Sequence, residues 1–177
     1  MDRRQKKTRT AIFSAFCKLL AKKRYDKITV QEIIDEADVG RTTFYAHFET
    51  KDLLLNAMCD ELFYHVFKPD TCEWVGKDDI LENRLAHILW HFKEKDSSLS
   101  ALILSDSSDL FLRYFKTHLS SLFESFLSTS RTQNENSFLL LGLVGSFSEI
   151  LKWWLDSGMK ETPETVAKNF LKLYNID

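Results

Sequence analysis

The chain reads as an all-α protein of about nine helices, and three observations carry that reading. Glycine and proline are scarce, 5 and 2 among 177 residues, which leaves little room for the tight turns of a β architecture. Apolar residues recur three and four apart in segment after segment, the spacing of a helix face. Start and stop signals fall at the edges of those segments: Thr29 with Glu32, Gly158, and Thr162 before Pro163. With 44% apolar and 28% charged residues, the composition is that of a folded globular protein. The length suffices for one sizeable domain, or two small ones sharing a core, burying about 70% of the unfolded surface.

The first helix is expected over residues 4–22, with Ile12, Phe13, Phe16, Leu19 and Leu20 as its buried stripe. A short connection at 25–27 follows. Thr29 opens the second helix as a capping box with Glu32, hydroxyl and carboxylate each satisfying an N–H that the helix start leaves orphaned. Val30, Ile33, Ile34 and Ala37 are its apolar face. Residues 37–40 make the turn, because Asp38 tolerates left-handed backbone and Gly40 can serve as an N-cap. The third helix covers 41–47 and turns Phe44 and then Phe48 inward.

Thr50 begins a fourth helix through Leu53, Leu54, Ala57, Met58 and Leu62, ending at the Lys68-Pro69 break. Residues 70–77 read as a loop, 79–95 as a fifth helix, 96–98 as a break and 99–104 as a short sixth helix. An aromatic-rich seventh helix is expected at 110–127 and a polar loop at 128–136. Residues 138–155 form an eighth helix that is apolar nearly all round, which demands burial on more than one side. After Gly158, Thr162 and Pro163 start a final helix faced by Val166, Ala167, Phe170, Leu171 and Tyr174.

The net charge of −2 hides a division. Residues 1–51 carry 12 Lys and Arg against 7 Asp and Glu, a net of +5; the rest carry 12 against 19, a net of −7. A basic head on an acidic body suits a polyanion met by the head alone, although a solvated helix face has the same composition. Cys17, Cys59 and Cys72 are odd in number and form no CxxC pair, which argues against a disulfide framework or a zinc module. The basic-then-apolar opening imitates a signal peptide, but Lys18 interrupts it. The longest unbroken apolar run, 138–145, falls far short of the ~18 residues of a membrane span. A cytoplasmic protein with no membrane partner is expected. No nucleophile–base pair, glycine-rich phosphate loop or metal cluster is present, so neither an enzyme nor a cofactor is expected.

The most informative stretch is 29–51, preceded by Arg3, Arg4, Lys6, Lys7 and Arg9. Two short helices joined by a tight turn, with cations on both sides, form the pattern of a helix-turn-helix that lays its second helix into the DNA major groove. Arg41, Thr42, Thr43, Tyr45, Ala46 and His47 face outward. Arg41 has the fork to pair with the acceptor edge of guanine, and Thr42 and Ala46 suit thymine methyls. Thr43, Tyr45 and Lys51 suit phosphates, and Arg4 and Arg9 are counted among the DNA-binding residues. His47 has a plainer alternative as a helix cap, and Arg9 as a solvated arm residue.

The block VQEIIDEADVGRTTFYAHFETKDLL, above all its FYAHFETKDLL run, resembles the N-terminal domain of the TetR family of bacterial transcriptional regulators over residues 11–62. The stretch WWLDSGMKETPETVAKNFLKL resembles the end of one branch of such regulators, where the last two helices build the dimer. The resemblance implies base-facing positions at Arg41, Thr42, Ala46 and His47, and phosphate-holding positions at Thr29, Thr43, Tyr45 and Lys51. The chain departs from the usual pattern at Asp38, where Gly is common, at Gly40, where a capping Ser is common, and at Thr42, where Gly is common. The division expected is a helix-turn-helix DNA-binding head, 1–51, a connector helix, 50–67, and a helical regulatory and dimerisation body, 52–177.

In the body, Leu140, Leu143, Val144, Phe147, Leu151 and Trp154 lie at helical spacing, with Gly142 and Gly145 permitting close approach. Together with Phe170 and Tyr174 of the last helix they are expected to form a two-fold four-helix interface; burial inside one subunit is the alternative. Trp90, Phe111, Tyr114, Phe115, His118, Phe123, Phe147 and Trp153 are the candidates for a cavity taking an apolar small molecule, or else they fill the core. His87 and His91 are four apart, but no carboxylate accompanies them and no metal is expected. These readings converge on a homodimeric repressor of a palindromic double-stranded DNA operator, possessing an apolar effector. A regulator of the same fold acting through a partner protein, without an effector pocket, is the competing class.

Overall fold

The computed structural model describes residues 3–67, 80–94, 100, 103–104, 108–127 and 133–176. Among the described residues lie eight α-helices of seven residues or more, one short 3₁₀ turn and no strand. They are α1 (Arg3–Leu20), α2 (Val30–Ala37), α3 (Arg41–His47), α4 (Lys51–Phe67), α5 (Leu81–Glu94), α6 (Ser108–Phe126), α7 (Gln133–Asp156) and α8 (Pro163–Leu173), with the 3₁₀ turn at Tyr25–Lys27. Ser100, Ile103 and Leu104 of the expected sixth helix are helical; the rest of it, the loop at 70–77, the break at 96–98 and residues 128–132 lie outside the described residues.

Local chemistry sets the head. α1 buries Ile12, Ala15, Phe16, Leu19 and Leu20 and packs on α2, which packs in turn on α3. α2 starts at the expected capping box: the Thr29 hydroxyl accepts from the Glu32 N–H at 3.2 Å, and the Glu32 carboxylate accepts from the Thr29 N–H at 2.9 Å. That carboxylate also pairs with Lys23, tying the entry of α2 to the end of α1. α2 ends at Asp38 in the left-handed region, φ 52° and ψ 48°, and the Val39 N–H returns to the Ile34 carbonyl at 3.2 Å. Gly40 is the N-cap of α3 at an ordinary φ of −71°, with no side chain to cap the helix. The turn residues thus take the roles their chemistry anticipates.

The body is built on α4, which packs against both α5 and α6, while α6 packs on α7 and α5 on α8. Phe123, Phe147 and Phe170, from α6, α7 and α8, meet with ring centroids 5.1–6.3 Å apart. α7 turns into α8 through Gly158 at φ 81°, where the Met159 N–H closes onto the Trp154 carbonyl at 2.9 Å. Thr162 then caps α8 by accepting from the Thr165 N–H at 3.2 Å, with Pro163 at the first helical position. At the far end the Tyr174 hydroxyl holds the Gly142 carbonyl at 3.1 Å and the Ser146 hydroxyl at 2.6 Å.

α7 differs from expectation twice. It begins at Gln133, so the end of the expected 128–136 loop is helical. Its own subunit also covers one face only: Leu143, Phe147, Ser148, Leu151 and Trp154 are buried, while Phe138 and Leu141 stand 78% and 73% exposed. Among the described residues, Glu135–Asp156 alone is long and apolar enough to cross a membrane by length and composition; here its buried face is part of the core.

The Glu32 carboxyl is held down at about 2 by the Lys23 ammonium and the Thr29 N–H and hydroxyl, against a usual 4.5. A depressed acid stabilises the fold above its unfolded value and loses that contribution as pH falls. The denaturant midpoint is therefore expected to drop between pH 4.5 and about 2. Glu32→Gln should flatten that part of the profile, as measured by chemical denaturation at each pH.

Candidate nucleic-acid interface

α3 has seven residues, with Phe44 fully buried beneath and Arg41, Thr42, Thr43, Tyr45 and Ala46 exposed above. His47 is half-buried, its ring 6.1 Å from that of Phe48. The Tyr45 ring stands edge-on to Phe44 at 5.5 Å, and the Arg41 guanidinium lies over it at 5.9 Å. Arg41 makes no ion pair among the described residues. Beside α3 the first turns of α1 complete a groove of about 290 Å³ bounded by Arg4, Gln5, Thr8, Thr42, Thr43, Ala46 and His47. Five of these were anticipated from sequence; Gln5 and Thr8 were missed, although Thr8 sits four residues before buried Ile12 and shares its face.

Three expected DNA contacts, Lys51, Arg9 and Thr29, are engaged inside the head. The Lys51 ammonium donates to the carbonyls of Tyr25 at 2.8 Å and Ile28 at 2.9 Å, and sits 4.4 Å from the Tyr25 ring. Two of its three protons are thereby used, so Lys51 is a fastener of the 3₁₀ turn onto α4. Burial first, and the hydrogen bond to Asp52 second, push the Tyr25 phenol up, so the hydroxyl stays a donor to Asp52. Arg9 is half-buried and engaged within the protein: it donates to Glu61 at 3.4 Å and to the Ala57 carbonyl at 3.5 Å, over the rings of Phe13 and Phe48. The Thr29 hydroxyl accepts from the Glu32 N–H and donates to its carboxylate at 3.0 Å, its cap role using the group expected on a phosphate. Arg4 remains exposed at the groove.

The described contacts divide the aromatic set of the body into separate groups. Phe115 packs against Phe63, Phe92 and Phe111 at 5.4–6.1 Å, and His118 stacks on Phe63 at 5.0 Å while its Nε2 meets Asp60 at 2.9 Å. Phe111, Phe115 and Phe147 are fully buried core residues, with Phe123 and Phe147 in the separate triangle with Phe170. Trp90, Tyr114 and His118 are half-buried, and Trp153 is 56% exposed, outside any interior. The expected interface residues lie on the side of α7 that the chain itself covers. Leu143, Val144, Phe147, Leu151 and Trp154, with Phe170 of α8, are buried in their own subunit, and Leu140 and Tyr174 are half-buried against it. The open face is the opposite one, with Phe138, Leu141 and Gly145, whose Cβ position has nothing within 4 Å.

Residues 12–58 match the pattern of bacterial regulatory proteins of the tetR family, and residues 79–175 match a transcriptional regulator C-terminal region. A TetR transcriptional regulator from Streptococcus agalactiae 2603V is 39% identical, with a TM-score of 0.71 over 97% of this chain and 96% of that one. The chain belongs to the TetR family. It is a helix-turn-helix transcriptional regulator, and the groove between α1 and α3 borders its helix-turn-helix. The TetR-family fold extends to DhaS, a dihydroxyacetone kinase operon activator, at 21% identity and a TM-score of 0.62 over 94% and 93% of the two chains. YxbF, an uncharacterized HTH-type transcriptional regulator of Bacillus subtilis (strain 168), is 27% identical over 188 residues. That alignment takes in 99% of this chain but 47% of YxbF, so the chain spans about half the length of that relative.

Lys51→Met should strip two carbonyls of their donor and cost about 1–3 kcal/mol of stability. Urea denaturation is the measure, and the loss should appear without any DNA present.

Proposed function

We propose that this TetR-family chain is a cytoplasmic repressor that binds a palindromic operator as a homodimer, laying α3 of each subunit into the major groove. The observation carrying the reading is the division of α3: Phe44 is buried beneath, while Arg41, Thr42 and Ala46 stand exposed above it. Arg41 is the base reader in this scheme, paired with guanine, while Thr42 and Ala46 meet thymine methyls. Thr43 and Tyr45 contact phosphates. The head is residues 1–51, α4 connects, and 52–177 is the regulatory and dimerisation body. Occupancy of promoter DNA by such a dimer excludes polymerase, which is repression by simple competition.

Support for the dimer comes from the large apolar side chains that one subunit leaves in water. Phe138, Leu141 and Trp153 on α7 are 78%, 73% and 56% exposed, and Leu173 on α8 is 70% exposed. An apolar surface of this kind is the mark of an interaction site. Two-fold pairing of α7 and α8 through it would set the α3 helices about one DNA turn apart, ~34–36 Å. An apolar effector bound in the body would oppose operator affinity through the same linkage. The packing of Phe111 and Phe115 against their neighbours favours the second reading, a regulator worked by a partner protein without an effector pocket. Gel-shift binding of genomic fragments by the purified protein alone separates the two.

Operator affinity should fall steeply with salt, since each neutralised phosphate contributes about 0.9 to the slope. Arg41→Ala should relax the preference at one base pair per half-site, a discrimination of about 1–3 kcal/mol. Titration of single-base variants reads the loss, and an equal drop on every sequence would contradict the base-reading role. Leu141→Glu should convert the dimer to a folded monomer in analytical ultracentrifugation, with its helical circular dichroism retained; a persistent dimer would remove this face from the interface.

A further inference from the structure

Arg41 opens α3, whose first turn carries no acidic residue. Among the described residues it makes no ion pair, and Gly40 before it has no side chain to offer. The helix dipole also disfavours a cation at this end. What the guanidinium does meet is the ring of Tyr45, with 5.9 Å between its central carbon and the ring centre.

Helix geometry produces that contact. Residues four apart share a face, and helical side chains lean toward the N-terminus, so a ring at 45 is carried back toward 41. The ring is itself held: it stands at right angles to that of Phe44, with centroids 5.5 Å apart, and Phe44 is fully buried. Three side chains therefore link the core to the outer surface of α3, from Phe44 through Tyr45 to Arg41. An arginine that turns freely in water must give up rotamer freedom when it meets a base, which subtracts from the contact. A guanidinium already resting on an aromatic face has less to give up.

We propose that Tyr45 is a positioning residue for base choice: its ring braces the Arg41 guanidinium in the orientation that meets guanine, so it sets specificity without touching a base. This inference rests on the DNA-binding reading and divides Tyr45 into two parts. Its hydroxyl, on a phosphate, acts on all sequences alike. Its ring acts through Arg41 on a single base pair.

The test uses the full chain and a duplex that the wild-type protein selects from a random pool, with each base pair of one half-site varied in turn. Tyr45→Leu should lose about two- to fivefold of the discrimination at one base pair, the pair at which Arg41→Ala also acts. Combined with Arg41→Ala, it should take nothing further from the preference at that pair. Tyr45→Phe keeps the ring and should retain the discrimination in full, while binding every duplex more weakly by the same factor. Undiminished discrimination in Tyr45→Leu, or a loss confined to that pair in Tyr45→Phe, overturns the bracing role and leaves the DNA-binding reading standing. Failure of the wild type to select any duplex overturns both.

Discussion

Isolated helices shorter than ~12–15 residues are marginal in water, and α3 has seven residues. It persists because Phe44 and Phe48 are buried under it, each contributing about 1.5–3 kcal/mol when fully removed from water. Phe48 meets Phe44 at 6.1 Å and Phe13 of α1 at 5.7 Å, so the same ring that ends α3 joins it to α1. Arg9 closes the assembly from above, its guanidinium within 5.2 Å of both rings and hydrogen-bonded to α4. The outward residues of α3 are placed by this stack, and any role they have in recognition depends on it.

The cations of the head divide by what surrounds them, and not by residue type. Lys51 and Arg9 lie where carbonyls and a part-exposed carboxylate offer partners within the fold, and they become fasteners. Arg4 and Arg41 lie at the rim of the groove or over an aromatic ring, with no carboxylate to neutralise them among the described residues. The positive surplus read from residues 1–51 therefore overstates the charge free for an external anion.

Much of the fold was legible because helix ends announce themselves chemically. The Thr29–Glu32 box, left-handed Asp38, Gly158 and the Thr162-Pro163 start all stand where their side chains imply. The face of α7 was not legible in the same way. Phe138 and Leu141 on one side and Leu143 and Phe147 on the other are equally apolar, so periodicity names no inside. The distinction comes from which side α6 and α8 occupy, a tertiary fact. The site shows the same limit: outward residues of α3 follow from the position of Phe44, whereas the fates of Lys51 and Arg9 depend on backbone carbonyls and on residues tens of positions away. Gln5 and Thr8 escaped notice because a polar continuation of a buried stripe looks like ordinary solvent exposure until α3 is found beside it.

α4 is common to both halves of the molecule. On one side it holds the head at four places: Lys51 on the Tyr25 and Ile28 carbonyls, Asp52 on the Tyr25 hydroxyl, and Ala57 and Glu61 on Arg9. On the other it meets α6 through Phe63 against Phe115 and Asp60 against His118. The α4–α6 contact combines the buried packing of Phe63 on Phe115 with one half-exposed ion pair, a type worth little by itself. A displacement of α6 passed through that buried packing would move α4 together with the head it holds. For the dimeric regulator proposed above, this makes the separation of the two α3 helices a function of the tilt of α4. Whatever biases that tilt, an effector or a partner protein, must bind the two tilts with different affinity to be felt at the operator.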